Sequence, residues 1–324
     1  MQSHLNSPAD LVKRGDMGAE DGPFAVTGAL RKPSALDWSA ATDRAQGDAR
    51  QTRVIAAPKF SIFAVFLGLR TLAQYSDLLY TLSLFRLNVR YKQSVLGWAW
   101  AALQPLALMC IYTFIFAHVT TVKTGGAPYP IFVFSALLPW LFFSGAVTNA
   151  VHGLVTYPNL LTKMYFPREI IPLSYLAASL VDFLIASLIF LVLMVHYRCP
   201  LTWNALYVLP IFLVLAGLTA AVGLFFSAVH VRFRDVGLAM PFALQLWMFA
   251  APVVYSVESV PIRFRQLYLL DPVAGLVENF RRVLVFGAAP NFPQLAFSSS
   301  ITLAALVLAY LYFKSSEATM ADVI

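Results

Sequence analysis

Charged residues are scarce in this sequence. Only 12% of its 324 residues are charged, whereas 59% are hydrophobic, and the mean hydropathy is +0.71. Soluble proteins carry about 25% charged residues, so this composition excludes an ordinary soluble domain and indicates that most of the chain faces lipid or other apolar surface. The net charge of +7 comes with Lys and Arg residues that flank apolar runs. This placement favours basic loops at a membrane surface over nucleic-acid binding.

Residues and motifs for common enzyme chemistries are missing as well. The two cysteines, Cys110 and Cys199, define neither a disulfide framework nor a metal site. The G-x-x-x-x-G-K-[ST], H-E-x-x-H and G-x-S-x-G motifs are absent, so the chain is not expected to hydrolyse ATP through a P-loop or to be an enzyme. No cofactor is expected in it. The histidines are interpreted as isolated residues that mostly lie at span ends: His4, His118, His152, His196 and His230.

Long apolar runs occupy most of the chain. About 20 apolar residues cross a bilayer core, and backbone groups in lipid must be paired within the segment, so each run predicts a transmembrane helix. The predicted fold is therefore an all-α membrane protein with six spans, at about 96–117, 128–151, 170–195, 205–229, 236–257 and 295–313.

The distribution of cations predicts the orientation. With both termini in the cytoplasm, ten cations lie on the inner side: Lys59, Arg70, Arg86, Arg90, Lys92, Lys163, Arg168, Arg232, Arg234 and Lys314. Six lie on the outer side: Lys123, Arg198, Arg263, Arg265, Arg281 and Arg282. The excess on the inner side favours a cytoplasmic N-terminus. Residues 315–324 are then a short cytoplasmic tail.

The residues before the first span have a different composition. Residues 1–58 show no sustained apolar period and predict a disordered cytoplasmic tail. Residues 59–95 predict an interfacial segment. Within it, the apolar run 60–69 is too short to span the bilayer, and the spacing of 72–91 predicts an amphipathic helix, although Arg86 interrupts its apolar stripe. A helix docked on a protein partner is the alternative.

The segment 258–294 carries helix-end signals. Asp271 is a plausible N-cap, Pro272 suits the first helical position, and Gly287 suits the end of a helix. Glu278 is spaced to pair with Arg281 or Arg282. Four apolar residues need burial: Leu276, Val277, Phe280 and Leu284. We predict a re-entrant half-helix at the outer face.

Two further features of the spans have alternative interpretations. Asp182 is an acid well inside a span, where an ionised side chain costs about 2.5–3.5 kcal/mol, so it must face a partner or a wet cavity. It either bridges helices or takes part in a proton relay. The aromatic fraction of 14% fits interfacial belts, and it also fits a path on which aromatic faces pack against sugar rings.

Five stretches, taken in order, resemble a known family. They are "YKQSVLGWAWAALQPL" (91–106), "SALLPWLFFSGAV" (135–147), "NLLTKMYFPREIIPLS" (159–174), "VRFRDV" (231–236) and "LDPVAGLVENFRRVL" (270–284). Over residues 72–314 the chain resembles the permease subunits of type-2 ABC exporters that move O-antigen, capsule or teichoic-acid polysaccharides. It departs from the family at Asp271, where asparagine is expected.

The resemblance implies roles for particular residues. Residues 157–168 would form a cytoplasmic coupling helix that seats on a separate ATPase subunit. The coupling residues would be Tyr157, Asn159, Leu160, Lys163, Met164, Phe166, Pro167, Arg168 and Glu169. The aromatic candidates for a sugar path are Trp98, Trp100, Trp140, Phe142, Phe143 and Trp247. The outer-gate candidates are Asp271, Pro272, Glu278 and Arg281. From position and charge, Arg86, Arg90 and Lys92 are candidates for a lipid diphosphate head group.

The resemblance also implies an assembly: a homodimer in the bacterial inner membrane with two ATPase subunits, which bind ATP and Mg. The expected cargo is a lipid-linked polysaccharide that enters from the cytoplasmic leaflet. One alternative is a type-2 ABC exporter of a drug or small lipid. A second is an integral-membrane glycosyl- or acyltransferase, which would need clustered acids or a His–acid pair.

Overall fold

The described part of the chain is helical. A computed structural model describes residues 73–92, 94–118, 124–156 and 166–323. The described residues form no β-strand, which agrees with the predicted all-α class. The proposed tail 1–58, the interfacial run 60–69 and most of the coupling segment, 157–165, lie outside these residues. The helices are α1 (Ser76–Tyr91), α2 (Ala99–His118), α3 (Tyr129–Thr156), α4 (Ile170–His196), α5 (Val208–Arg232), α6 (Asp235–Ala250), α7 (Ile262–Leu270), α8 (Pro272–Leu284) and α9 (Phe292–Val323).

Five of the described helical segments are long and apolar enough to cross a membrane. They are Ala99–Phe116, Tyr129–Thr156, Ile170–His196, Trp203–Arg232 and Phe292–Glu317. The run 236–257, predicted as the fifth of the six spans, is not among these five. It contains the 16-residue helix α6, which is shorter than the other spans. This helix ends because Pro252 disfavours helical geometry at the preceding residue, and Ala251 is extended with ψ 139°.

Helix α3 is the centre of the described core. It packs against α2, α4, α5, α6 and α8. Ile131, Phe134, Leu137 and Phe143 on this helix have no solvent exposure. Because α3 contacts so many neighbours, its residues are buried on all sides, unlike the one-sided burial of a peripheral helix.

Helix α1 packs alongside α4, and the two helices run in the same direction. Its guanidinium at Arg86 lies 4.2 Å from the centre of the Tyr175 ring, and Arg90 pairs with Asp182 seven residues further along α4. Leu87 lies between them in a small apolar cluster with residues of α4. The interruption of the apolar stripe by Arg86 therefore reflects a cation–π contact with the neighbouring helix. The location of α1 at a membrane interface stays a prediction.

The last helix is longer than the predicted span. Helix α9 continues from Phe292 to Val323, so most of the predicted tail from residue 315 belongs to the helix. Glu317 of this extension forms an i,i+3 ion pair with Lys314 at 2.9 Å. Pro293 is compatible with its first turn, where the missing N–H would have no helical partner.

Candidate functional site

A cavity of about 600 Å³ lies among α1, α2, α3, α4 and α6. Its lining combines an ion pair, amides, hydroxyls and aromatic rings, which together can bond a polar ligand and pack against the apolar faces of its rings. The polar lining residues are Arg90, Tyr91, Gln104, Ser144, Thr148, Asn149, Ser179, Asp182 and Gln245. The lining thus brings together side chains from segments that are far apart in the sequence.

The ion pair of this cavity joins α1 to α4. The Arg90 guanidinium pairs with Oδ2 of Asp182, and the Tyr91 hydroxyl donates a hydrogen bond of 2.7 Å to Oδ1. Burial and the bond to Asp182 raise the pKa of Tyr91 to about 12, so its hydroxyl remains a donor at neutral pH. Asp182 therefore bridges two helices, as its structural interpretation predicts, and the partnership reduces the cost of an acid within a span.

The aromatic candidates for a sugar path fall into two groups. Trp100, Trp140 and Phe142 line the cavity. Phe143 has no solvent exposure and belongs to the core of the described protein, and the partly buried Trp247 packs edge-on against it at 5.3 Å.

Trp98, the remaining aromatic candidate, lies just before α2. Its ring stacks on Tyr91 at 4.8 Å, and the side chain is half exposed. Trp98 is therefore beside the ion pair, although it is not among the residues that line the cavity.

The candidate head-group cations occupy three different environments. Arg86 is only 7% exposed and faces the Tyr175 ring. The Arg90 side chain is 34% exposed beside the cavity, and Lys92 is exposed just past the end of α1. Of the three, Arg90 is therefore the one that lies at the cavity with a partly exposed side chain.

The described part of the predicted coupling segment is tied to α9. Phe166 is 9% exposed and lies in an apolar cluster. The Arg168 guanidinium donates to the backbone carbonyl of Glu317, and Lys314 Nζ lies 2.8 Å from a carboxylate oxygen of Glu169. Glu169 has no exposed surface as a residue and faces the protein interior. Pro167 is partly buried, and the remaining candidates Tyr157, Asn159, Leu160, Lys163 and Met164 lie outside the described residues.

The outer segment contains the predicted helix. Asp271 accepts a hydrogen bond of 2.9 Å from the Val273 backbone N–H, and Pro272 begins α8, which confirms the predicted helix start. Burial raises the pKa of Asp271, whereas the hydrogen bond from Trp247 and two backbone N–H groups act in the opposite direction. The predicted burial of four apolar residues is confirmed: Leu276, Val277, Phe280 and Leu284. Whether α8 is re-entrant stays a prediction.

Arg281 is the most buried cation among the described residues. Its side chain is 0% exposed and lies 3.8 Å over the Phe132 ring. It bonds Glu278 at 2.9 Å, as the sequence spacing predicts, and donates to the carbonyls of Pro252 and Val253, each at 3.1 Å. The outer helix is thus fixed to the turn that follows α6.

Two histidines that the sequence predicts to be isolated lie together. The rings of His152 and His230 are 5.2 Å apart, and the Gly237 backbone N–H donates to Nδ1 of His230 at 3.0 Å. The prediction of isolated histidines is wrong for this pair, because the ends of α3 and α5 converge at the start of α6.

Sequence reasoning also missed the amides of the cavity. Gln104, Asn149 and Gln245 line it, and each lies in an otherwise apolar run. Uncharged polar side chains are costly to bury without partners, so their presence in such runs is a signal that could have identified them.

Comparison with known proteins identifies relatives of the chain. Residues 77–285 match the model of the ABC-2 type transporter family. An O-antigen export system permease protein, RfbA, of Myxococcus xanthus is 30% identical over 256 residues, which cover 78% of this chain and 97% of that protein. A Klebsiella pneumoniae protein with the same name is 27% identical over 65% of this chain and 81% of its own length. The polysialic acid transport protein KpsM of Escherichia coli is 23% identical over 74% of this chain and 93% of its own length.

Proposed function

This chain belongs to the ABC-2 type transporter family, and we propose that it is the membrane subunit of an ATP-driven exporter of a lipid-linked polysaccharide. The cargo class is an O-antigen or capsule-type glycan that moves from the cytoplasmic to the outer face of the bacterial inner membrane. The observation that carries the proposal is the similarity to O-antigen and polysialic acid exporters over two thirds or more of their own lengths.

The cavity lining supports a glycan in preference to an apolar drug or small lipid. Sugar rings present apolar faces, which suit aromatic side chains such as Trp100 and Trp140, and hydroxyls, which suit amides such as Gln104 and Asn149. We assign the path to the lining aromatics Trp100, Trp140 and Phe142, with Trp98, Phe143 and Trp247 around it.

The head group of the cargo is assigned to Arg90 and Lys92. A lipid diphosphate carries dense negative charge, and the planar fork of an arginine bonds phosphate oxygens in pairs. Arg90 lies at the cavity with a partly exposed side chain, and Lys92 is exposed just past the end of α1. Arg86 supports this site through its packing on α4.

The working unit is proposed to be two copies of this chain with two ATPase subunits that bind ATP and Mg. The chain itself contains no P-loop sequence. Large apolar side chains of α2 and α6 are exposed, among them Phe114 at 70% and Leu238 at 82%, and they provide surface for lipid and for the second copy. With α6 counted as a short fifth span, the proposed six spans leave both termini on the same side, and the excess of cations on that side supports the cytoplasm. Residues 157–169 then face the ATPase subunits.

One experiment tests the function at two levels. The full chain is tagged and purified from its own cells in mild detergent, and the glycolipids of a deletion strain are analysed by leaflet. We expect an ABC ATPase to co-purify and a lipid-linked glycan to accumulate in the cytoplasmic leaflet. Co-purification with a different accumulated lipid would indicate the drug or small-lipid exporter. Absence of an ATPase, together with loss of a glycosyl or acyl transfer activity, would indicate the transferase.

A further inference from the structure

A buried carboxylate joins the residues before α4 to the last helix. Glu169 has a side chain that is 1% exposed, and its Oε2 lies 2.8 Å from Nζ of Lys314. Its Oε1 lies 3.5 Å from the hydroxyl of Tyr310, which donates. Both partners belong to α9. A carboxylate removed from water requires such partners, so the position of Glu169 depends on this helix.

A second set of contacts comes from the preceding residue. The backbone N–H of Arg168 donates to Oε1 of Glu317 at 3.3 Å, and its guanidinium donates to the backbone carbonyl of Glu317 at 2.5 Å. Glu317 in turn pairs with Lys314 at 2.9 Å. The backbone and the side chains of residues 168 and 169 are thus both fixed to the same turn of α9.

Residues on both borders of the coupling segment belong to an apolar cluster that includes α9. Leu154, on the N-terminal side of residues 157–165, and Phe166, on the C-terminal side, belong to one buried cluster. That cluster includes Phe313 and Met320 of α9, which are 0% and 2% exposed. Residues from both sides of the segment thus share one apolar cluster with α9, beside the ion-pair cluster.

We infer that α9 anchors the C-terminal end of the coupling segment, residues 166–169, and that Lys314 and Glu317 are positioning residues through which a movement of this end is transmitted into the membrane domain. The inference rests on the proposed function, because it requires an ATPase subunit that pushes on residues 157–169. Ion pairs and buried side chains resist sliding, whereas a segment held only by its own chain would absorb the movement.

The other end of α9 reaches the outer helix α8. Just before α9, the backbone N–H of Asn291 donates to Oδ1 of Asn279 at 2.6 Å, and a Cβ on Gly275 would lie 2.5 Å from Oγ of Ser298. One continuous helix, Phe292–Val323, thus connects the anchored segment with the outer helix. A displacement at its inner end has a direct structural route to the outer face.

The test measures glycan exported per ATP hydrolysed. The full-length chain and its co-purifying ATPase are reconstituted in proteoliposomes with a fluorescent lipid-diphosphate-linked oligosaccharide. Lys314→Met and Glu317→Ala should each lower the ratio by about two- to thirtyfold, the range of coupling changes caused by residues away from the ligands. Lys314→Arg keeps the charge and should restore the ratio. Ser315→Ala is the matched control and should leave the ratio unchanged, because this residue is exposed and its hydroxyl donates to the Tyr312 carbonyl of its own helix, at 2.8 Å.

The possible outcomes are distinguishable. If Lys314→Met or Glu317→Ala exports as much glycan per ATP hydrolysed as the wild type, the inference is overturned, even when assembly or thermal stability falls. A purely structural role would lower the yield of complex and leave this ratio intact. If Lys314→Met does not assemble, Glu317→Ala decides, since Glu317 is partly exposed and alanine favours the helix. Failure of the unaltered chain to bind an ATPase or to export the oligosaccharide would instead refute the proposed function.

Discussion

The buried guanidinium of Arg281 leads to a prediction about the stability of the outer region. We expect Arg281→Met to destabilise the protein far more than Arg282→Met, the same change at the next residue. Arg281 is 0% exposed and bonds Glu278 and the carbonyls of Pro252 and Val253. Arg282 is exposed, and its Nε donates to one carbonyl at 2.7 Å.

The size of the effect follows from the groups left behind. Arg281→Met leaves the buried carbonyls of Pro252 and Val253 without these donors, at about 1–3 kcal/mol for each. It also removes the contact with the Phe132 ring, which contributes about 2 kcal/mol when desolvated. The cost of burying a charge disappears at the same time and offsets part of the loss. We therefore expect a net loss of about 2–4 kcal/mol, against about 0.5 kcal/mol for Arg282→Met.

Thermal unfolding in one detergent measures the difference. At about 2–4 °C per kcal/mol, Arg281→Met should lower the apparent Tm by about 4–16 °C, and Arg282→Met by about 2 °C or less. Arg281→Lys keeps the charge but loses the planar fork, so it should fall between the wild type and Arg281→Met. Equal apparent Tm values for Arg281→Met and Arg282→Met would refute the reasoning, because they would mean that burial of the guanidinium contributes nothing.

Three further predictions concern packing and transport. Gly237→Ala should lower the apparent Tm, because the new Cβ would lie 2.5 and 2.7 Å from two histidine rings and overpacking costs about 1–3 kcal/mol. Gly223→Ala should lower it less, since its Cβ would lie 3.2 Å from the Cβ of Ala150, and equal losses would contradict this reasoning. Arg90→Lys should raise by about tenfold the lipid-linked glycan concentration that half-stimulates ATP hydrolysis, and an unchanged curve would remove the head-group assignment. Trp100→Ala should slow export about threefold at unchanged assembly, whereas Trp203→Ala, at a residue 88% exposed, should not; equal rates would argue against the aromatic path.

The helices could be predicted from the sequence because hydropathy and helix-end signals are local. Apolar length identifies the five long spans, and an aspartate before a proline identifies the start of α8. The same reasoning failed at the end of α6, where the apolar composition continues to residue 257 but the helix ends at Ala250. Pro252 disfavours helical geometry at Ala251, the residue before it, and this restriction can be seen in the sequence although a hydropathy average does not include it.

The polar contacts could not be predicted because they join residues far apart in the chain. Arg90 and Asp182 are 92 residues apart, and Glu169 and Lys314 are 145 residues apart. The sequence marks Asp182 as an acid that needs a partner, although several cations could satisfy it. Glu169 looked like a surface residue of a charged segment, and only the packing of α9 reveals that it is buried.

Three polar clusters between helices have a common physical basis. Packing between apolar helices in lipid gains little from the hydrophobic effect, because lipid tails are as apolar as the side chains that they replace. Apolar surfaces therefore determine the register of neighbouring helices only weakly. Polar contacts at Glu169, Asp182 and Arg281 are directional. If its helix slid by one turn, Glu169 would lose Lys314, Asp182 would lose Arg90, and Arg281 would lose the carbonyls of Pro252 and Val253. We infer that these contacts fix the register of α9 against the start of α4, of α1 against α4, and of α8 against the turn after α6. A transporter that changes conformation needs such fixed points, since movement at one end reaches the other only through contacts that do not slip.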